Sequence, residues 1–205
     1  MKKFRKKVTI KAIAKSYCQK GRGILSEKVR GFEIVSEYQD KGIELPQRQT
    51  KYSAGYDLAA AEEVELPSFW SQAFKVLLHQ FKLKMMENSD QVDQVRETLF
   101  KPTLVPTGLK IYMQEDEYVK IVNRSSGSYK HFSALPNGIG IIDADYYNNE
   151  KNEGHVYVQL INFGMKTRKI KKGERIAQAI FCSYLKVDQD QPIDTTRQGG
   201  FGSSD

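Results

Sequence analysis

An all-β fold carrying one helical insertion is what this sequence predicts, and three observations lead to it. From Gly31 onward the chain is a series of short runs rich in Val, Ile, Tyr and Phe, separated by Gly, Pro, Asn and Asp at the spacing of a β-sandwich or barrel. Residues 68–101 break that texture with apolar side chains at helical intervals. Both ends are too poor in apolar residues to build a core and are expected to be flexible.

Taken in order, residues 1–30 carry eleven Lys and Arg against a single acidic residue, Glu27, so the other 175 residues sum to −3 of the net +7. A solvated extension is the first reading of such an arm, with a nucleic-acid contact as the alternative; "MKKFRKKVTIKAIAKSYCQK" has a loose amphipathic pattern that Gly21 and Gly23 end. The β-rich runs "GFEIVSEY", "LVPTGLKIYM", "YVKIVNRSS", "GIGIIDADYY", "HVYVQLINFG" and "RIAQAIFCSYLKV" are the expected strands of a body over residues 31–191. Within the insertion, Trp70, Phe74, Leu77, Leu78, Phe81 and Met85 form one stripe behind Ser68 as N-cap, and Val92, Val95 and Leu99 a second before Pro102. A helical pair packed on the β body is the expectation. No run approaches the roughly 18 apolar residues of a membrane span, and no apolar stretch follows the N-terminal charges, which points to a cytoplasmic protein. Cys18 and Cys182 lack neighbours at metal-ligand spacing and read as reduced thiols.

Three stretches carry groups suited to chemistry. In "NGIGIIDADYY", Asn137, Gly138 and Gly140 allow the backbone to approach a ligand closely, and Asp143 and Asp145, two apart, face opposite sides of a regular strand. In "NRSSGS", Arg124 offers a forked pair of donors beside the hydroxyls of Ser125 and Ser126, which suits an anion; alone, it reads equally as a polar turn. In the closing "TTRQGGFGSSD", Arg197 precedes Gly199, Gly200 and Gly202, whose N–H groups could wrap phosphate, and Phe201 could cover a base; alone, it reads as a linker.

In this order, "AGYDLAA", "NRSSG", "NGIGIIDADYY", "ERIAQ" and "RQGGFGSS" resemble the five ordered motifs of the trimeric dUTP diphosphatases. The resemblance covers the β body and the tail, but neither the basic arm nor the insertion. It implies a distorted jelly roll assembled as a homotrimer, and hydrolysis of dUTP to dUMP and pyrophosphate with Mg²⁺. Asp143 matches the family's catalytic carboxylate, which orients and deprotonates water. Asp57 matches the carboxylate that reaches the metal through water, the triphosphate supplying the direct ligands. Arg124, Ser125, Ser126 and Gln178 match phosphate contacts. Asn137 and the hairpin at Gly140 match the uracil reader, and Tyr146 the tyrosine under deoxyribose. Arg197, Gly199, Gly200, Phe201 and Ser203 match a lid over residues 192–205 that closes on the nucleotide.

Two departures stand out. "YNNEKNE" separates Tyr146 from Gly154, lengthening the hairpin beside the base pocket, and Arg197 precedes Phe201 by four positions, one fewer than in many members. The dCTP deaminases resemble the same fold, but their proton-shuttling glutamate falls here at Gln159, which cannot act as general acid or base. The insertion and the basic arm are candidates for an added contact with a protein or nucleic-acid partner.

Overall fold

The protein is described here by a computed structural model covering residues 28–85 and 101–191. The basic arm up to residue 27, the second half of the expected helical pair (86–100) and the Gly-rich tail (192–205) lie outside the described residues.

Among the described residues, eleven strands and two α-helices follow one another. They are β1 (Gly31–Ile34), β2 (Tyr56–Ala59), β3 (Val64–Leu66), α1 (Phe69–Met85), β4 (Thr103–Pro106), β5 (Leu109–Tyr112) and β6 (Glu117–Asn123). After them come α2 (Ser125–His131), β7 (Ser133–Ala134), β8 (Gly140–Asp143), β9 (Tyr157–Asn162), β10 (Arg168–Ile170) and β11 (Arg175–Ser183). A four-stranded sheet in the order β2-β11-β6-β8 joins a three-stranded sheet β4-β9-β7 and the pairs β1-β5 and β3-β10, every ladder antiparallel. Each expected apolar run supplies strand; the short β3, β7 and β10 carry too few apolar residues to stand out from the sequence.

Alternation along the strands builds the core. Val119 and Ile121 of β6, Val158 and Leu160 of β9, and Ala177 and Ala179 of β11 are buried at every second position, against Leu58, Val105, Leu109 and Ile111. Two buried polar residues root the insertion in the body. Ser68 Oγ donates to the Gly164 carbonyl at 2.6 Å and accepts from the Ser71 N–H at 3.3 Å, the expected N-cap, while Asn162 Nδ2 donates to the Leu66 and Lys166 carbonyls.

α1 departs from expectation in how it is turned. Trp70, Phe74, Leu77, Leu78 and Phe81 are all more than half exposed, whereas Phe69, Gln72, Ala73, Val76, His79 and Gln80 form the more covered face. The orientation is set at the root, where Trp70 Nε1 donates to the Phe163 carbonyl at 3.0 Å and Phe69 packs on the Phe163 ring. From Phe74 to Phe81 the apolar stripe is therefore turned away from the β body.

His155 precedes β9, 3% exposed, between the rings of Tyr38 and Tyr157. Its Nε2 accepts the Gly108 N–H at 2.9 Å, so the ring is neutral with its proton on Nδ1. Burial pushes its pKa down from 6.5 to about 4. The unfolded chain takes up a proton below its ordinary value and the folded chain does not, so this contribution to stability is full above about pH 6.5 and is lost as pH falls toward 4. Denaturant unfolding at pH 7.5 and 4.5 is expected to show a loss about 2 kcal/mol smaller in His155→Gln than in the wild type. An equal acid loss in both proteins would exclude His155 as its source.

Candidate functional site

The first, second and fourth motif segments meet at one end of the four-stranded sheet. Asp57 of β2 stands opposite Gln178 of β11, and Arg124 directly follows Asn123 of β6, itself opposite Ala177. The Asp57 side chain is only 3% exposed. Its Oδ1 accepts from Arg124 Nε at 3.1 Å and Gln178 Nε2 at 3.1 Å, and its Oδ2 from Arg175 Nη1 at 3.2 Å. A buried carboxylate demands this degree of pairing. Arg124 Nη1 also donates to the Arg175 carbonyl at 3.0 Å, so two of its five N–H groups are fixed within the protein and the plane of the guanidinium with them.

Arg175 is the residue that sequence reasoning missed. In a regular strand it would point away from Gln178, three positions on. A bulge in β11 pairs Arg175 with Ala59 and Ala177 with Leu58, so the extra residue brings Arg175 round to the Gln178 side and onto Asp57. "ERIAQ" contained it, but spacing alone gave no sign of the bulge.

"NRSSGS" forms a helix rather than a turn. Arg124 is the N-cap of α2, and Ser125 and Ser126 occupy its first turn, where backbone N–H groups have no partner within the helix. Arg124, Ser126, Gly127, Arg168 and Arg175 line a polar cavity of about 280 Å³. Arg168 is ion-paired with Glu174 at its rim.

A second cavity, of about 160 Å³, opens between β8 and β9 and is lined by Asn137, Gly140, Ile142, Tyr146, Tyr157 and Gln159 among others. Three of the expected base and sugar contacts thus share one pocket, together with the glutamine that marked the absence of deaminase chemistry. Asn137 is exposed and Tyr146 is 6% exposed. A Cβ added at Gly140 would come within 3.2 Å of Ile121, so the strand there is close against β6.

Asp143 closes β8, half-buried and opposite Tyr118. Asp145 lies in a 3₁₀ turn, Ala144–Tyr146, so the alternation expected of a regular strand does not apply to the pair. Tyr118 is six residues along β6 from Arg124, about 20 Å at the rise of an extended strand. Within one chain Asp143 and the Asp57–Arg124 cluster are therefore apart. Arg197, Gly199, Gly200, Phe201 and Ser203 lie outside the described residues.

Comparison with known proteins identifies the family. A family model described as dUTPase matches residues 92–205. The chain is 40% identical over 178 residues to a deoxyuridine 5'-triphosphate nucleotidohydrolase of Lactococcus lactis subsp. lactis, spanning 86% of this chain and 98% of that protein. It is 33% identical over 171 residues to one of Brucella melitensis, spanning 80% of this chain and 86% of that one. The crystal structure of dUTPase from Streptococcus mutans superposes with a TM-score of 0.59 at 34% identity, over 77% of this chain and 98% of that chain. DUTPase from phage phi11 of S. aureus, at 16% identity and a TM-score of 0.54 over 82% of this chain and 97% of that one, shares the fold. With its second, third and fourth motif segments lining two cavities, and with relatives matched over most of their length, the chain belongs to the dUTPase family.

Proposed function

We propose that the protein is a dUTP diphosphatase, hydrolysing dUTP to dUMP and pyrophosphate by attack of water on the α-phosphorus, and so supplying dUMP and keeping uracil out of DNA. The observation that carries the reading is the pairing of two differently built cavities. One mixes apolar strand residues with the polar groups of Asn137, Tyr146, Tyr157 and Gln159 and fits a base and sugar; the other is lined by arginines and fits phosphates.

In this reading the hairpin at Asn137 and Gly140 reads uracil, and the Tyr146 ring lies under deoxyribose and leaves no room for a 2'-hydroxyl. Arg124, with Ser125, Ser126 and Gln178, holds the phosphates and stabilises charge that builds on them. Asp143 orients the attacking water and takes its proton. Arg197, Gly199, Gly200, Phe201 and Ser203 close over the bound nucleotide and exclude bulk water. Because Asp143 and Arg124 must act within a few ångströms of one phosphorus, their separation along β6 supports a site shared between chains, as in a homotrimer.

The residues fit Mg²⁺ in one way. The two Asp57 oxygens offer about four acceptor positions and three are taken by Arg124, Gln178 and Arg175, so the one that is left is enough for a water but too few for Asp57 to be the main holder of the ion. Among the described residues no group of three or more His, Cys, Asp or Glu could hold a metal alone. Asp57 would thus hold the ion through water, with the triphosphate as direct ligand; bound there, Mg²⁺ neutralises phosphate charge. No helix among the described residues is long and apolar enough to cross a membrane.

The test is to offer dUTP, dCTP, dTTP and UTP with Mg²⁺ and to measure pyrophosphate release and the identity of the base. dUTP is expected to be preferred by at least about 10²-fold in kcat/KM. Equal turnover of the four, or release of ammonia from dCTP, would overturn the reading.

A further inference from the structure

The lengthened hairpin turns out to be a clamp on Tyr146. Asn149, 7% exposed, closes the turn: its Oδ1 accepts the N–H groups of Lys151 and Asn152, and its Nδ2 donates to the Tyr146 carbonyl and to Asn152 Oδ1, both at 2.8 Å. Asn152 Oδ1 also accepts the Gly154 N–H at 3.1 Å, which leaves Asn152 Nδ2 to donate to the Tyr146 phenol oxygen at 2.9 Å. The phenol passes its own proton to the His155 carbonyl at 2.9 Å. Gly154, at φ +77°, is so close that a Cβ there would lie 2.6 Å from the Tyr146 carbonyl oxygen.

The turn is also fastened from outside. Glu153 accepts from the Ser36 hydroxyl at 3.0 Å and the Ser36 N–H at 3.2 Å, Lys110 Nζ donates to Asn148 Oδ1 at 2.6 Å, and the Tyr147 hydroxyl donates to Glu33 at 2.6 Å. These contacts hold the seven residues 147–153 against β1, β5 and the Ser36–Tyr38 turn rather than over the cavity.

We propose that Asn152, held in place by Asn149, is a positioning residue for Tyr146 and sets the discrimination between deoxyribose and ribose. The proposal rests on the reading that places the Tyr146 ring under the sugar. Steric exclusion of a 2'-hydroxyl is only as sharp as the ring is fixed, because a small tilt of the ring relieves the clash. The clamp also engages the phenol oxygen as acceptor and donor, so it is not available to reward a ribose hydroxyl with a hydrogen bond.

The experiment compares kcat/KM for dUTP and UTP in the full chain. In Asn152→Ala the dUTP:UTP ratio is expected to fall about tenfold, mainly through a lower KM for UTP, with kcat for dUTP within about twofold of wild type. Asn152→Asp keeps the acceptor for Gly154 and Asn149 but cannot donate to the phenol; it is expected to lose the same discrimination and serves if the alanine variant does not fold. In a Tyr146→Phe background, Asn152→Ala is expected to change the ratio less than about twofold, since its route of action is gone. An unchanged ratio in both Asn152 variants, or an equal loss in the Tyr146→Phe background, would overturn the proposal. Calorimetric binding of dUMP against UMP reads the same ratio without turnover, so a wild-type protein inert toward dUTP would sink the proposed function and still leave this inference to be decided.

Discussion

Asp143→Asn is expected to lower kcat for dUTP by about 10³-fold while KM stays within a few-fold of wild type. The amide has the shape of the carboxylate but cannot take a proton from water, so the loss falls on the chemical step and not on binding. The fold is expected to survive, because Asp143 is placed by the backbone pairing of β8 with β6 and the amide keeps the carboxylate's shape. Pyrophosphate release under saturating dUTP, alongside dUMP affinity, makes the measurement. Turnover within about tenfold of wild type would remove Asp143 from the role of base.

Arg124→Ala is expected to cost about 10²- to 10³-fold in kcat/KM for dUTP. It also weakens the folded state, because Asp57 is nearly inaccessible and loses the donor at 3.1 Å, keeping only Gln178 and Arg175. That second effect is expected at about 2–3 kcal/mol in denaturant unfolding. Activity lost with unchanged stability would mean that Asp57 does not depend on Arg124 as its geometry implies. Mixing the Arg124→Ala and Asp143→Asn chains, followed by unfolding and reassembly, is expected to restore turnover that neither has alone. No recovery would argue against a site shared between chains.

The sequence and the structure agree where chemistry is written in residue types at fixed spacing. The apolar runs give the strands, and Ser68 marks the start of α1, because alternation and capping are local effects. The side of α1 that faces the body was not legible: its stripe of Trp70, Phe74, Leu77, Leu78 and Phe81 argues for burial, yet the anchoring of Ser68 and Trp70 on Gly164 and Phe163 turns it outward. Those anchors lie more than ninety positions away in the chain. Asp57, Arg124 and Gln178 could be named from their motifs, whereas their meeting at one carboxylate depends on the register of three strands. The "YNNEKNE" stretch could be seen as extra length, but its asparagines act through a network that becomes visible only once the turn is closed around Tyr146.

The bulge in β11 has a consequence for how this site is written in the chain. No residue type marks it; what aims Arg175 at Asp57 is that β11 has one residue more than β2 between two paired positions. The arrangement is thus encoded as a count. Single substitutions along the strand leave that count intact, whereas the loss of one residue between Arg175 and Gln178 would keep both side chains, lengthen no loop, and still turn the arginine to the opposite face of the sheet.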